Sequence, residues 1–424
     1  MGILLPLILI LFTCLFIWRA CDGFEVASEY IGRNLSEGVR GGTINAISSS
    51  LPELMTTLIA LFVLSETEAF SVGIGTTAGS ALFNGMIIPA ACILAVIGTV
   101  VAGRKVLSVN VSEKVLLRDG LSLIGCEIVL ILILGGSTLY WWQGLVLMGL
   151  YFAYFGYMIT SMKANPIGSG GDDEAEEEED DDEPRGPIGT VFYWLSGGPI
   201  LDLERWFVGD KQKAQMKAET WNGWPLLLSA ALVITAACYL LVAACEWLGS
   251  SKAEGFELLG MHLPGGLGMP TMFVAVIFAS MATSVPDTVI SIRDARDGDY
   301  DDAVANALGS NIFDICFALG FPLFLYTLIY QPITMTPEVI KQSAELRVLL
   351  LFLTILGFCV YFIGKRSQSD SGRRTVPMGR GKAFLLLGIY GSFVVYIISR
   401  SAGAGWATKI SDSLQRLVEF LPGS

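Results

Sequence analysis

Apolar residues fill this chain in long continuous runs, without the strict alternation of half-buried strands or the single apolar stripe of soluble helices. A helix needs about 20 mostly apolar residues to cross a bilayer. Ten runs meet or approach that length, at residues 4–28, 42–64, 71–101, 119–139, 141–161, 223–248, 269–292, 302–330, 345–364 and 381–401. They predict an all-α polytopic membrane protein with ten transmembrane helices. The first run lacks a basic start and an Ala-x-Ala cleavage site, so it reads as a helix and not as a leader. Two runs are interrupted by polar groups, Ser-Ser-Ser-Leu-Pro-Glu at Ser48 to Glu53 and Thr-Ser-Val-Pro-Asp at Thr283 to Asp287. A charge near the bilayer centre costs about 2.5 to 3.5 kcal/mol even on lenient scales, which makes each acid a functional candidate.

Lys and Arg of short connections collect on the cytoplasmic side. With the N-terminus outside, the inner connections hold Arg33 and Arg40; Arg104, Lys105, Lys114 and Arg118; Arg293 and Arg296; and Lys365, Arg366, Arg373, Arg374, Arg380 and Lys382. The outer ones hold only Lys252, Lys341 and Arg347. Both termini are therefore expected to be extracytoplasmic, with the sequons at Asn34 and Asn110 inside and unmodified. The chain divides into a first repeat of five helices (1–162), a cytoplasmic loop (163–222) and a second repeat with a short tail (223–424). An odd number of helices per half sets the halves in opposite senses, as in the inverted repeats of secondary transporters.

Composition agrees with a membrane protein: 53% of residues are hydrophobic, 16% are charged and mean hydropathy is +0.60. The net charge of -13 is mostly one block, since eleven acids lie between Asp172 and Glu183. Such a block repels itself and reads as a solvated linker. The segment Val191 to Phe207 and the tail beyond Trp406 read as interfacial. Eight cysteines stand singly, without a Cys-x-x-Cys, and His262 is the one histidine. A zinc site, a disulfide frame and His-based catalysis are thereby disfavoured.

The chemistry is written twice. Gly79-Ser-Ala-Leu-Phe-Asn84 in the first half answers Gly309-Ser-Asn-Ile-Phe-Asp314 in the second. Helical spacing puts Ser49 and Ser50 on one face with Glu53, Thr283 and Ser284 with Asp287, Ser80 with Asn84, and Ser310 with Asp314. Pro52 and Pro286 lack an amide proton, so they free the carbonyls of Ser48 and Ala282 and break their helices. Backbone broken at this depth is tolerated only where it lines a cavity. The sum is a cage of carboxylates, amides, hydroxyls and carbonyls at the midplane, a set that suits hard cations such as calcium. Ligands for zinc or copper are missing. Lys and Arg are absent from the expected interiors of these helices, so ions or protons must supply the compensating charge.

These paired motifs resemble the alpha-repeats of the cation/calcium exchanger superfamily. The stretch Ser71 to Asn84, with Gly309 to Asp314, is most similar to the potassium-dependent sodium/calcium exchangers. The likeness covers about 60 residues of each half. It implies alternating-access exchange of sodium for calcium, with Glu53 and Asp287 as central calcium carboxylates. It further implies Ser50, Thr283, Ser284, Ser80, Ser310, Asn84 and Asn311 as sodium or calcium ligands, and Asp314 as the acid associated with potassium. The chain departs from that pattern at Ser48 and Ser49, where the family usually has Gly or Gly-Thr, at Gly85 and Pro89, and at Arg293 and Asp294, which interrupt an otherwise apolar helix exit. Ser49 is kept as a ligand candidate from its spacing alone. No enzyme activity, cofactor or nucleic-acid partner is expected; the partners are calcium, sodium and potassium ions and the lipid bilayer, and the plasma membrane is the expected location. A calcium/proton exchanger is the main competing reading. An intramembrane aspartyl protease and an ion channel are more remote, because neither explains the duplicated hydroxyl and proline motifs.

Overall fold

The computed structural model describes residues 2–31, 33, 46–64, 69–101, 104–164, 187–253, 255–258, 260–368 and 374–419. The acid block, the Asn34 sequon, Arg40 and Arg373 lie outside them. All ten apolar runs contain helix. In chain order these are Leu4–Ile31; Ala46–Ser49 with Leu51–Ile59; Ala69–Val96; Glu113–Ile133; Trp141–Ala164; Trp224–Gly249; Thr271–Val274 through Val285–Asp297; Tyr300–Phe313 with Gly320–Ile329; Pro337–Tyr361; and Arg380–Ser401. Seven helices among the described residues are long and apolar enough to cross a membrane, or eight when the bent pair Thr271–Thr283 and Val285–Asp297 counts as one. Leu51–Val63 is a shorter apolar helix. Glu113–Ile133 has the length but also Arg118, Asp119 and Glu127.

Two helices begin well before their apolar runs. The fourth starts at Glu113 instead of 119, and the ninth at Pro337 instead of 345. Their first turns are charged, so hydropathy misses them. Capping explains the second start, where the Thr336 hydroxyl accepts from the Val339 amide; Ser112 holds the N-cap position of the other without a side-chain cap bond. The third run ends early, as Ala69–Val96 gives way to a hairpin pairing Val100–Val101 with Arg104–Lys105.

Short strands tie the connections together. Val109–Ser112 pairs with Arg374–Met378, which also pairs with Ser367–Gln368, so the third and ninth connections share one sheet. Asp301, in the first turn of the eighth helix just after the seventh connection, accepts from the Ser112 amide at the same place. Thr138–Leu139 of the fourth connection pairs with Ile333–Thr334 of the eighth. Odd connections thus meet odd and even meet even.

The Ala69–Val96 helix is the axis of the molecule, with nearly three quarters of its apolar window buried (72%), against about a quarter (28%) for Trp141–Thr160. Without a strong hydrophobic drive between helices in lipid, small residues set how closely they pack. A methyl added to Gly75 would overlap the Met272 carbonyl, and one on Gly79 the Val276 carbonyl and Ser280. Gly79 is thus a packing residue, whereas Gly309 has only the Tyr154 hydroxyl within 4 Å, at 3.9 Å. We expect Gly79→Ala to destabilise the protein by about 1 to 3 kcal/mol, the usual cost of overpacking, and Gly309→Ala to leave stability nearly unchanged. Thermal melting in detergent checks the contrast.

The tail is packed against the bundle. Its helix Gly405–Glu419 packs on Pro337–Tyr361 and Arg380–Ser401. There the buried Glu345 carboxylate accepts from Ser411 at 2.6 Å and from Tyr396 at 2.5 Å, and Arg400 approaches to 3.5 Å. The segment after the acid block forms short helices, Pro187–Leu195, Gly198–Leu201, Leu203–Phe207 and Asp210–Lys217, on the same side as the odd connections. Tyr30 accepts there from the Trp221 amide.

Candidate functional site

Two helix breaks build the site. Pro52 and Pro286 each take the second position of a new helix, Leu51–Ile59 and Val285–Asp297. A proline is tolerated there because the amide proton it lacks would be unpaired anyway. The residues just before, Ser50 (φ -96, ψ 8) and Ser284 (φ -81, ψ 4), occupy nearly the same bridge conformation. The second break bends its span by 44°. Glu53 and Asp287 therefore sit in the first turns of new helices, where unpaired amides favour a negative charge.

π-helical turns flank these motifs at Ala60–Leu64, Ala275–Ala279 and Asp314–Ala318. A π-turn inserts one residue and rotates the remainder of the helix, a device common at functional sites. The last begins at Asp314 itself.

Every site residue expected from the sequence is buried in one region: Ser49, Ser50, Glu53, Ser80, Asn84, Thr283, Ser284, Asp287, Ser310, Asn311 and Asp314 are each fully buried. Ser80 is the node. Its hydroxyl lies 2.8 Å from Asp314 Oδ2, 3.0 Å from Ser284 Oγ and 3.4 Å from Glu53 Oε1, and it accepts from Asn84 Nδ2 at 3.3 Å. Asn84 also donates to Asp287 Oδ2 at 3.0 Å, and Ser310 donates to Asp287 Oδ1 at 2.8 Å. Ser49 Oγ is 3.5 Å from Ser310 Oγ. Asn311 donates to the Ala81 carbonyl at 2.9 Å, and Thr283 to that of Ser280 at 3.2 Å. These links cross between the halves of the chain, so motifs some 200 residues apart in sequence form one network.

The network is short of donors. Among the described residues, Glu53 Oε2, Asp314 Oδ1, Asn84 Oδ1, Asn311 Oδ1 and Ser50 Oγ make no hydrogen bond of ordinary geometry. Leaving a buried polar atom unmade costs about 1 to 3 kcal/mol each, so such a cluster needs an explanation. Among the described residues no Lys or Arg pairs with Glu53, Asp287 or Asp314, and no three of His, Cys, Asp or Glu gather closely enough to hold a metal by themselves. Any cation held here must take most of its ligands from hydroxyls, amides and carbonyls. Buried hydroxyls of the site helices escaped the sequence reading, among them Thr56 on the helix of Glu53 and Thr76 on that of Ser80; Thr76 Oγ1 makes no hydrogen bond among the described residues. The spacing of Thr76, one helical turn before Ser80, was the signal.

Known proteins resemble this chain in sequence and in fold. The family model described as "Sodium/calcium exchanger protein" matches residues 5–160 and 222–399, well over half of the chain. Human sodium/potassium/calcium exchanger 5 is 25% identical over 77% of this chain and 71% of its own length. Human sodium/potassium/calcium exchanger 3 is 38% identical over 34% of this chain but only 20% of its own length. Among solved structures, a H+/Ca2+ exchanger, CAX, aligns with 99% of this chain and 90% of its own, at TM-score 0.52 and 11% identity, a likeness of fold. The sodium-calcium exchanger NCX_Mj aligns with 93% of this chain and 99% of its own, at TM-score 0.49 and 19% identity. By the extent of the family match, this chain belongs to the sodium/calcium exchanger protein family.

Proposed function

We propose that the protein is a secondary active antiporter that exchanges sodium for calcium by alternating access, with potassium moving alongside calcium. Its ten helices form two inverted five-helix repeats, and the ions bind where their broken helices meet. Glu53 and Asp287 are the central calcium carboxylates; Ser49, Ser50, Ser80, Asn84, Thr283, Ser284, Ser310 and Asn311 supply neutral oxygens; Asp314 carries the third charge. One observation supports this most directly: oxygens from both halves converge in a buried network that lacks the donors to satisfy them. A ligand set poor in fixed charge and rich in hydroxyls suits hard cations that must be released as readily as they are bound.

The pairing of odd connections with odd and even with even supports ten crossings, each placing successive connections on opposite sides. The basic residues assign the odd face to the cytoplasm, which places both termini outside and suits a plasma-membrane exchanger. The names of the relatives support sodium, potassium and calcium as the ions.

Proton coupling is the competing reading, because three buried carboxylates without a cationic partner can also be neutralised by protons. Calcium uptake into sodium-loaded proteoliposomes separates the two. We expect uptake to require the outward sodium gradient and to rise with external potassium. Uptake driven by a pH gradient in the absence of sodium would replace this reading with calcium/proton exchange.

A further inference from the structure

A cleft runs from the odd face towards the network, between the first helix, the turn before Ser50 and the Val285–Asp297 helix. Burial increases along it. Arg293 at the mouth is exposed, Asp22 and Glu25 on the first helix are half-buried, and Ser48 and Ser49 at the bottom are fully buried. From Ser49 the contacts continue through Ser310 to Asp287. The first helix turns Asp22 and Glu25 to this space, and one turn further on Ser28 Oγ meets Ser48 Oγ at 2.8 Å. Arg19 reaches Asp22 at 3.7 Å but also bonds Ser196 at 3.3 Å. Asp202 and Glu204 of the short helices add their charge near Asp22, and Arg293 opposes it. Among the described residues that line the passage, the acids Asp22 and Glu25 outnumber the base Arg293, which stands at its opening.

We propose that this cleft is the route by which cations reach the site from the odd face, and that Arg293 is the electrostatic gate of its mouth. The proposal rests on the cation-exchange reading. A fixed positive charge beside the path lowers the local concentration of every cation, and it acts on a dication twice as strongly as on a monovalent ion. Acids on the opposite wall attract cations, and low-dielectric walls focus the field. Arg293 thus sets apparent affinity on one face and the balance between calcium and sodium there, without touching a bound ion.

At about 7 Å in water-like dielectric, one unit charge changes a monovalent occupancy about three-fold and a divalent one by about the square of that, roughly eight-fold. The test measures apparent sodium and calcium affinities from each side separately, in right-side-out and inside-out vesicles, for the unsubstituted protein, Arg293→Gln and Arg293→Lys. We expect Arg293→Gln to tighten both ions on the odd face alone, calcium by about the square of the sodium factor, with the shift collapsing at high ionic strength. Arg293→Lys should match the unsubstituted protein. A second measurement needs no transport: in a Cys21→Ala background, Val289→Cys should react with a cationic, membrane-impermeant thiol reagent from the odd face alone, and faster once Arg293 is neutral. Equal shifts on both faces, equal factors for the two ions, or reaction of Val289→Cys from the other face would overturn the gate while leaving exchange itself standing. Absence of any exchange in the unsubstituted protein would instead overturn the function on which the gate depends.

Discussion

Glu53→Gln and Asp287→Asn should each abolish calcium exchange while leaving a folded protein. Both changes keep volume nearly constant, and volume-conserving swaps in a packed interior usually cost under about 1.5 kcal/mol. What they remove is charge. Two unit charges about 4 Å apart interact by about 4 kcal/mol at an intermediate effective dielectric, and a dication doubles the figure before desolvation is deducted. A fall of about 100-fold in uptake at fixed calcium is therefore a lower bound. At Asp287 the local geometry adds to it, because an amide replaces one accepting oxygen by a donor. At position 287 the amide would face Asn84 and Ser310, which both donate to the present carboxylate. Sodium-driven calcium flux and calcium-dependent thermal shift give independent readouts, since a ligand that binds only the native state raises melting temperature by mass action. Normal flux in either well-folded variant would remove these acids from the centre of the site.

The second large effect concerns Asp314. Three ionised carboxylates facing one calcium leave one negative charge, and residual buried charge is costly enough to demand a further cation or a proton. The matching position in the first half is Asn84, which donates to Asp287, whereas Asp314 accepts from Ser80 at 2.8 Å and keeps Oδ1 without a partner. The two motifs therefore differ at one charge, and that charge is where we propose that potassium acts. We expect calcium flux in the unsubstituted protein to rise with potassium on the calcium side. Asp314→Asn should still exchange sodium for calcium but no longer respond to potassium. Indifference to potassium before any substitution would assign Asp314 to a proton or to sodium.

The sequence made the chemistry legible because it states it twice. Ser48 to Glu53 and Thr283 to Asp287 could be aligned by type and spacing, and each helix break falls two residues before its proline. Which side chains touch across the halves was not legible. Nothing local singles out Ser80 over Ser310 as the node, because that depends on how the helices of the two halves register. The π-turn at Asp314 rotates that carboxylate relative to a regular helix, and no residue pattern announces it. Hydropathy located the fourth and ninth helices but missed their starts, since charged first turns carry no apolar signal. Arg293 stood out only as an interruption. Its neighbours on the first helix are far away in sequence, so the cleft they form together exists only in the fold.

The docking of the Gly405–Glu419 helix bears on how this protein can be handled. Glu345 is buried beneath it, and one of the hydroxyls satisfying that carboxylate, Ser411, belongs to the helix itself. Trimming the chain before Ser411 would not shorten a loose end; it would uncover an acid in the ninth helix and strip it of a donor. A purification tag or fluorescent reporter is therefore better attached beyond residue 419 than substituted for this segment. For the same reason, poor yield from a shortened chain would report on damaged packing around Glu345 and carry no information about transport.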